Sequence, residues 1–418
     1  MPETPVQLAY GGASPFSLPL PAERIRYGFA PPTPLRTLPQ LLEEALERPL
    51  EFPALRQAIV PGDRIVIVLD QRVPQQDVLI AGAMKVLRGA GVEPADVLIL
   101  QPADPRGQRA RDPRGGLPAE FAKEVGWKIH DPTTDSSTAY LAATAAGERI
   151  YLARELLDAD FVLVIGVTAF DPVLGYRGTG SAVYPGLSTT DTLRKAIGQG
   201  HDELGPDDTR PIRQVIDEVQ WLMGLQFVVQ VVPGAGGMAG GVFAGQAEAV
   251  LRAARDMLWS QWRVKPQERS ELVVVSIDEP AARQTWFELG AALAAARRLV
   301  SKDGRILVLS QLQSVAGPGG VETLSEGMEI LREAHKPRDA IKPLRERQPA
   351  DMIPATQIAQ ALDWANVYLL SRLPGDVVED LCMVPLTDTA EAMRLMEGGE
   401  DCIAVEAAQS VSVGGKSG

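Results

Sequence analysis

Five consecutive apolar residues, Ile65–Leu69, run into the turn Asp70-Gln71-Arg72-Val73-Pro74 and then into a helical pattern. A β-branched run without polar alternation has no face for water, so it fits a strand buried on both sides of a parallel sheet. Val78, Leu79, Ala83, Val86 and Leu87 recur at helical spacing through Gln75–Ala90, with Gly91 at the C-cap position. Asp96–Leu100 is the next strand, which makes a β-α-β unit with parallel pairing. In open α/β sheets ligands sit beyond the carboxyl ends of the strands, where Asp70, Gln71 and Arg72 fall. An acid and an arginine there suit an anionic ligand; the competing reading is a surface salt bridge at a βα turn.

The alternation continues downstream. Residues 39–46 read as a helix, Asp160–Val167 as a third buried strand, and Thr168–Gly186 as a long Gly-rich loop. Leu225–Val232 and Gly240–Ala244 flank Gly and Pro as a hairpin, and Gln246–Trp262 is helical. A second series follows: strand Glu271–Ile277, helix Ala281–Val300, strand Gly304–Gln311, helical Val321–Ala334 and Ile358–Trp364, strand Asn366–Ser371 and helical Thr387–Met396. The expected fold is α/β in two domains, 1–265 and 266–418. Each is a mainly parallel sheet flanked by helices, with a cleft between the domains. Gln409–Gly418, small and polar, reads as a flexible tail.

Composition removes several classes of function. A net charge of −13 speaks against a broad nucleic-acid surface. No apolar run approaches the roughly 20 residues of a membrane span, and the N-terminus lacks the pattern of a signal peptide. Cytoplasmic is the expectation. Cys382 and Cys402 are far apart in apolar surroundings and read as buried thiols.

Arg177-Gly178-Thr179-Gly180-Ser181 is the strongest local candidate for binding. Glycines admit a close anion, and successive N–H groups can form a nest, although neither the Walker nor the GxGxxG pattern is present. Arg106 lies past the second strand and could share a site with Arg72. The histidines are His130, His201 and His335. His130 reads as a strand-end residue and His335 as a helix-end cation. His201 follows the Gly-rich loop and is either a solvated side chain or the chain's one candidate metal ligand or base.

The order of these motifs resembles the nickel-pincer lactate racemase family over residues 10–405. The acid-and-arginine turn is followed by a Gly-rich loop ending in Val183-Tyr184-Pro185-Gly186, then a hairpin with Phe243-Ala244-Gly245, then a second α/β domain with Ala295-Ala296-Arg297-x-Leu299-Val300. The resemblance implies racemisation of 2-hydroxy acids with a nickel-bearing nucleotide tethered to a loop lysine, histidines as metal ligand and acid/base pair, and strand-end turns holding the cofactor phosphate. Carried over by position, the tethering lysine falls on Ser181, the two acid/base histidines on Pro105 and Asp171, the nickel histidine on Ile197, and a substrate-facing lysine near Gly290. Asp70, Arg72 and Pro74 are kept from the first turn.

Two readings follow. In one, the protein is lactate-racemase-like and binds a small anion, a 2-hydroxy acid or a nucleotide-type cofactor, in the inter-domain cleft through Asp70, Gln71, Arg72, Arg106 and Arg177–Ser181, without racemising it. In the other it is a diverged isomerase, a racemase or epimerase of a hydroxy acid, with Asp171 or His201 as base. The expected partner in both is a small anionic molecule rather than nucleic acid or membrane.

Overall fold

The structure, a computed structural model, describes residues 6–12, 14–104, 110–198, 204–313, 324–398 and 400–414. It divides into two compact units: Pro32–Gly234 with Met238–Gln261, and Met1–Pro31 with Ala235–Gly237 and Trp262–Gly418.

The first unit is built on a six-stranded sheet of β1 (Ile65–Leu69), β2 (Val97–Gln101), β3 (Gly126–Ile129), β4 (Phe161–Val167), β5 (Phe227–Pro233) and β6 (Ala239–Gln246), in the spatial order β6-β5-β4-β1-β2-β3. All pairings are parallel except the β5–β6 hairpin. The central run is buried throughout, as a strand without a wet face must be. Ile65, Ile67 and Leu69 pack with the helices Leu38–Glu47 and Gln76–Gly89 on one side. Val66 and Val68 pack on the other side with Ile212, Ile216 and Val219 of the helix Pro211–Leu222. Period-two alternation thus feeds two separate apolar cores.

The strand order has a consequence for function. From β1 the chain winds outward through β2 to β3, then returns to β1's other side at β4 and winds away through β5. The direction reverses between β1 and β4, so the topological switch point lies beyond the carboxyl ends of these two strands.

The second unit has a wholly parallel six-stranded sheet, ordered Val384–Leu386, Asn366–Leu370, Val300–Leu309, Ser270–Ser276, Cys402–Val405 and Ile25–Phe29. Residues 1–31 were expected in the first domain, but Ile25–Phe29 pairs in parallel with Cys402–Val405. Leu8, Tyr10, Phe16 and Leu18 join the core containing Leu272, Val274 and Leu307. Pro- and Gly-rich sequence therefore supplies an edge strand and apolar anchors to a sheet whose other strands lie far downstream.

Three further expectations change. The polar tail is not wholly loose, because Ser412–Val413 pairs in parallel with Arg263–Val264. Gly290 lies where the helices Trp286–Leu299 and Met352–Leu362 cross, and a Cβ there would stand 2.8 Å from Pro354 Cα, so the position has no room for a substrate-facing side chain. Cys402 is buried, with burial pushing its thiol up to about 12, but Cys382 is exposed on a residue of positive φ. Apolar neighbours indicated the burial of the segment and not of this side chain. An aromatic disulfide reagent at pH 8 is expected to titrate the Cys382 thiol alone in the folded protein and both thiols in denaturant. Fast reaction of both in the native state would contradict the packing around Cys402.

Candidate functional site

The turn after β1 is built by its own polar groups. Asp70 Oδ1 accepts the backbone N–H of Arg72 at 3.0 Å, and Val73 N–H donates to Asp70 O at 3.2 Å. This is an Asx-type closure, in which a short carboxylate stands in for a backbone acceptor. Asp70 N–H donates to Ile165 O, which ties the turn to β4. Gln76 Nε2 donates to Gln71 O at 2.8 Å, and Gln71 Nε2 donates to Pro102 O at 2.5 Å, which links the ends of β1 and β2.

The loop after β4 folds back as a small antiparallel hairpin, Phe170–Asp171 with Gly175–Tyr176. Gly175 holds a φ of +77° at its turn, a conformation that favours glycine. Asp171 Oδ1 closes the hairpin by accepting the N–H groups of Val173 and Leu174, each at 2.9 Å. Trp259 covers the hairpin, its ring 4.9 Å from Phe170 and 5.3 Å from Tyr176. Arg210 lies beneath and donates to four carbonyls, those of Pro172, Val173, Leu204 and Gly205.

These two loops meet at the switch point. Arg177 Nη2 donates to Asp70 Oδ2 at 3.0 Å, and its Nη1 stands 3.5 Å from Asp171 Oδ2. Arg72 Nη1 reaches the same Asp171 oxygen at 3.6 Å. Both carboxylates are buried, Arg177 is nearly so, and Arg72 keeps 30% of its side chain exposed. Two acids and two arginines thus form a charge-balanced lattice with Arg72 at its solvent side. Burial alone would raise both carboxyls. Arg177 outweighs it for Asp70, together with the Arg72 backbone amide and the charge of Arg72. For Asp171, Arg177, then Arg72, then the two backbone amides outweigh it, so both acids are held below the usual carboxylate range.

The Gly-rich turn continues from Arg177. Gly178 N–H donates to Ser181 Oγ at 2.8 Å, and Gly180 N–H donates to Gln220 Oε1 at 2.9 Å. A Cβ on Gly178 would lie 2.8 Å from Leu251 Cδ1, so that side-chain end would have to shift to admit one. Thr179 is buried and holds a φ of +43°, which is costly for a β-branched residue. Of the residues read from sequence, Asp70, Arg72, Asp171 and Arg177 come together directly. Gln71 and Gly178–Ser181 frame them. Pro105, Arg106 and His201 lie outside the described residues. His130 is buried at the end of β3, with Nε2 2.8 Å from Ser188 O. Arg210, Arg213 and Gln220 were not read from sequence; helical periodicity marks them only as polar positions on a helix and its cap.

Comparison with known proteins adds the decisive observation. Residues 11–201, which contain every residue of the lattice, match the sequence profile of the lactate racemase N-terminal domain. The chain carries a lactate racemase N-terminal domain. Its whole fold is similar to that of the lactate racemase apoprotein from Thermoanaerobacterium thermosaccharolyticum, with a TM-score of 0.77 and 16% identity over 99% of this chain and 100% of that one. A protein from Thermotoga maritima is similar too, with a TM-score of 0.69 and 15% identity over 92% and 100%. At such identities the likeness is one of fold. Comparison with curated proteins finds no match. Within the lactate racemase N-terminal domain, the turn after β1 and the Gly-rich loop are the segments that bear the lattice.

The nickel-bearing nucleotide implied by the resemblance does not fit these side chains. Ser181 stands at the expected tether, is 4% exposed, and uses its Oγ to accept the Gly178 amide. A hydroxyl cannot supply the nitrogen of a thioamide. Among the described residues, no three His, Cys, Asp or Glu side chains cluster as metal ligands.

Proposed function

We propose that this protein is a non-racemising relative of lactate racemase that binds a small carboxylate-bearing acid at the switch point. The observation that carries the reading is the convergence of Asp70, Arg72, Asp171 and Arg177 beyond the carboxyl ends of β1 and β4. Arg72, the most exposed of the four, presents a planar donor fork suited to a carboxylate. Asp171 Oδ2 stands 3.6 Å from that guanidinium, and a bound carboxylate would share the fork with it.

The same geometry weakens the diverged-racemase alternative. Abstraction of a proton beside a carboxylate needs a base whose pKa lies near the working pH. Asp171 is held well away from that range by two arginines and two amides. The two unpaired thiols fit a reducing compartment, and we place the protein in the cytoplasm.

Isothermal titration with D-lactate, L-lactate and glycolate tests the binding. Saturable binding is expected, weakened at least about tenfold in Arg72→Met, which is the loss of one charge-assisted pair at about 1.4 kcal/mol or more. Protein produced alongside the cofactor-synthesis enzymes should keep its unmodified mass and leave D-lactate optically unchanged. A covalent adduct on this chain, or racemisation by it, would overturn the proposal.

A further inference from the structure

The antiparallel hairpin of Thr138–Ala143 with Arg149–Ala153 carries none of the lattice residues. Tyr140 and Tyr151 are cross-strand partners in it, with ring centres 5.7 Å apart and ring planes at 63°. Opposed partners project to one face of a hairpin, so the two rings form a corner, and Tyr140 is 52% exposed. Thr138, two residues before Tyr140, belongs to the same face. A second chain segment is fastened beside it. Ala153 N–H donates to Leu187 O at 2.8 Å, and Ser188 Oγ donates to Tyr151 O at 2.6 Å, which brings Thr189 to the hairpin. Thr138, Ala139, Tyr140, Tyr151, Arg154 and Thr189 line an open cavity of about 480 Å³ at this place, a volume within the range of about 300–1,000 Å³ usual for small-molecule sites.

Arg154, an exposed residue, sets the charge of the cavity. Its Nε donates to Ser136 O at 3.3 Å and its Nη2 to Thr138 O at 3.4 Å. These nitrogens share one side of the guanidinium plane, so the two carbonyls orient the group from that side. The other edge, Nη1 with the second Nη2 proton, is not used by these bonds and keeps the geometry of a two-point donor. A corner of two aromatic rings, an oriented guanidinium and threonine hydroxyls complement a flat ring that bears a carboxylate. The ring packs against the tyrosines in an offset or edge-on arrangement, and the carboxylate accepts from the arginine edge. A phosphate would use the arginine and leave the rings idle, and a sugar would do the reverse. We propose that this cavity is a binding site for a small aromatic carboxylate, separate from the site proposed at Arg72.

The test is saturation-transfer NMR on the full chain, titrated with benzoate. Binding should saturate, and cyclohexanecarboxylate, which has the charge without the aromatic face, should bind at least about threefold more weakly. Tyr140→Ala should weaken benzoate by a similar factor, at least about threefold, and Tyr140→Phe should keep the wild-type affinity. Arg154→Met should weaken it at least about tenfold. Should Arg154→Met fail to fold because Ser136 and Thr138 lose their donor, the two Tyr140 variants still decide the matter. Arg72→Met should bind benzoate like the wild type, which separates this cavity from the lactate site. The proposal is overturned if benzoate shows no saturable binding, if cyclohexanecarboxylate binds equally well, if Tyr140→Ala binds like the wild type, or if Arg72→Met loses the binding.

Discussion

Replacing Asp70 with asparagine is expected to lower the stability of the first unit by about 3 kcal/mol at pH 7, the lower end for removing one partner of a buried pair. The lower end applies because Arg177 still has Asp171 at 3.5 Å. Arg177→Met should cost more, toward about 5 kcal/mol, since it leaves two buried carboxylates with Arg72 as the remaining arginine of the lattice. For a unit of this size each kcal/mol is worth roughly 2–4 °C in melting temperature. The effect should depend on pH in a defined sense. Asp70 and Asp171 are both depressed in the folded protein, so their stabilisation is present above the unfolded value of about 3.9. It is lost as the pH falls through the lower folded values. Denaturant melts of wild type and Asp70→Asn should therefore differ most at neutral pH and converge below about pH 4. A gap that stays constant into acid would show that the variant acts through packing and not through charge.

Gly245→Ala should be comparably damaging, for a reason with no electrostatic part. Gly245 ends the Phe243-Ala244-Gly245 motif, with a φ of +130°, and a Cβ would lie 2.3 Å from Leu50 O and 2.5 Å from Leu50 N. These are backbone atoms and cannot rotate away. They belong to the bridge in which Leu50 N–H donates to Ala244 O and Gln246 N–H donates to Leu50 O. A strained backbone together with overpacking gives an expected loss of about 3–5 kcal/mol. Gly147→Ala is the matched control, with a φ of +81° and open space around the added methyl. It should cost only about 1–2 kcal/mol. Equal losses in urea melts of the two variants would mean that the Leu50 contact yields freely.

Five of the six strands of the first sheet were legible because burial writes itself into sequence; Gly126–Ile129, none of whose residues is buried, was marked only by His130 at its end. Ile65–Leu69 has no polar alternation, and β1 is buried on both faces as that demands. Local signals also placed Asp70 and Arg72 at a carboxyl end. What local signals could not supply was adjacency. The Arg177–Asp70 pair spans 107 residues of chain, and only the neighbouring positions of β1 and β4 bring it about. Ion pairs across such a distance leave no periodicity to read. Thr179 was named for its glycine neighbours, but β-branched residues disfavour positive φ, so nothing in its chemistry announced a left-handed backbone. The edge strand Ile25–Phe29 was hidden for a related reason, since its pairing partner lies almost at the other end of the sequence.

That edge strand sets an order of events during synthesis. Every segment of the first unit lies between residues 32 and 261, so the unit bearing the lattice can close while the remainder is still on the ribosome. The sheet that takes up Ile25–Phe29 cannot be completed until Cys402–Val405 has emerged. The first strand of that sheet to be made therefore waits for the last, a pairing of very high sequence separation that forms slowly. A nascent chain halted near residue 390 should hold a protease-resistant first unit beside an N-terminal segment that is still cleavable.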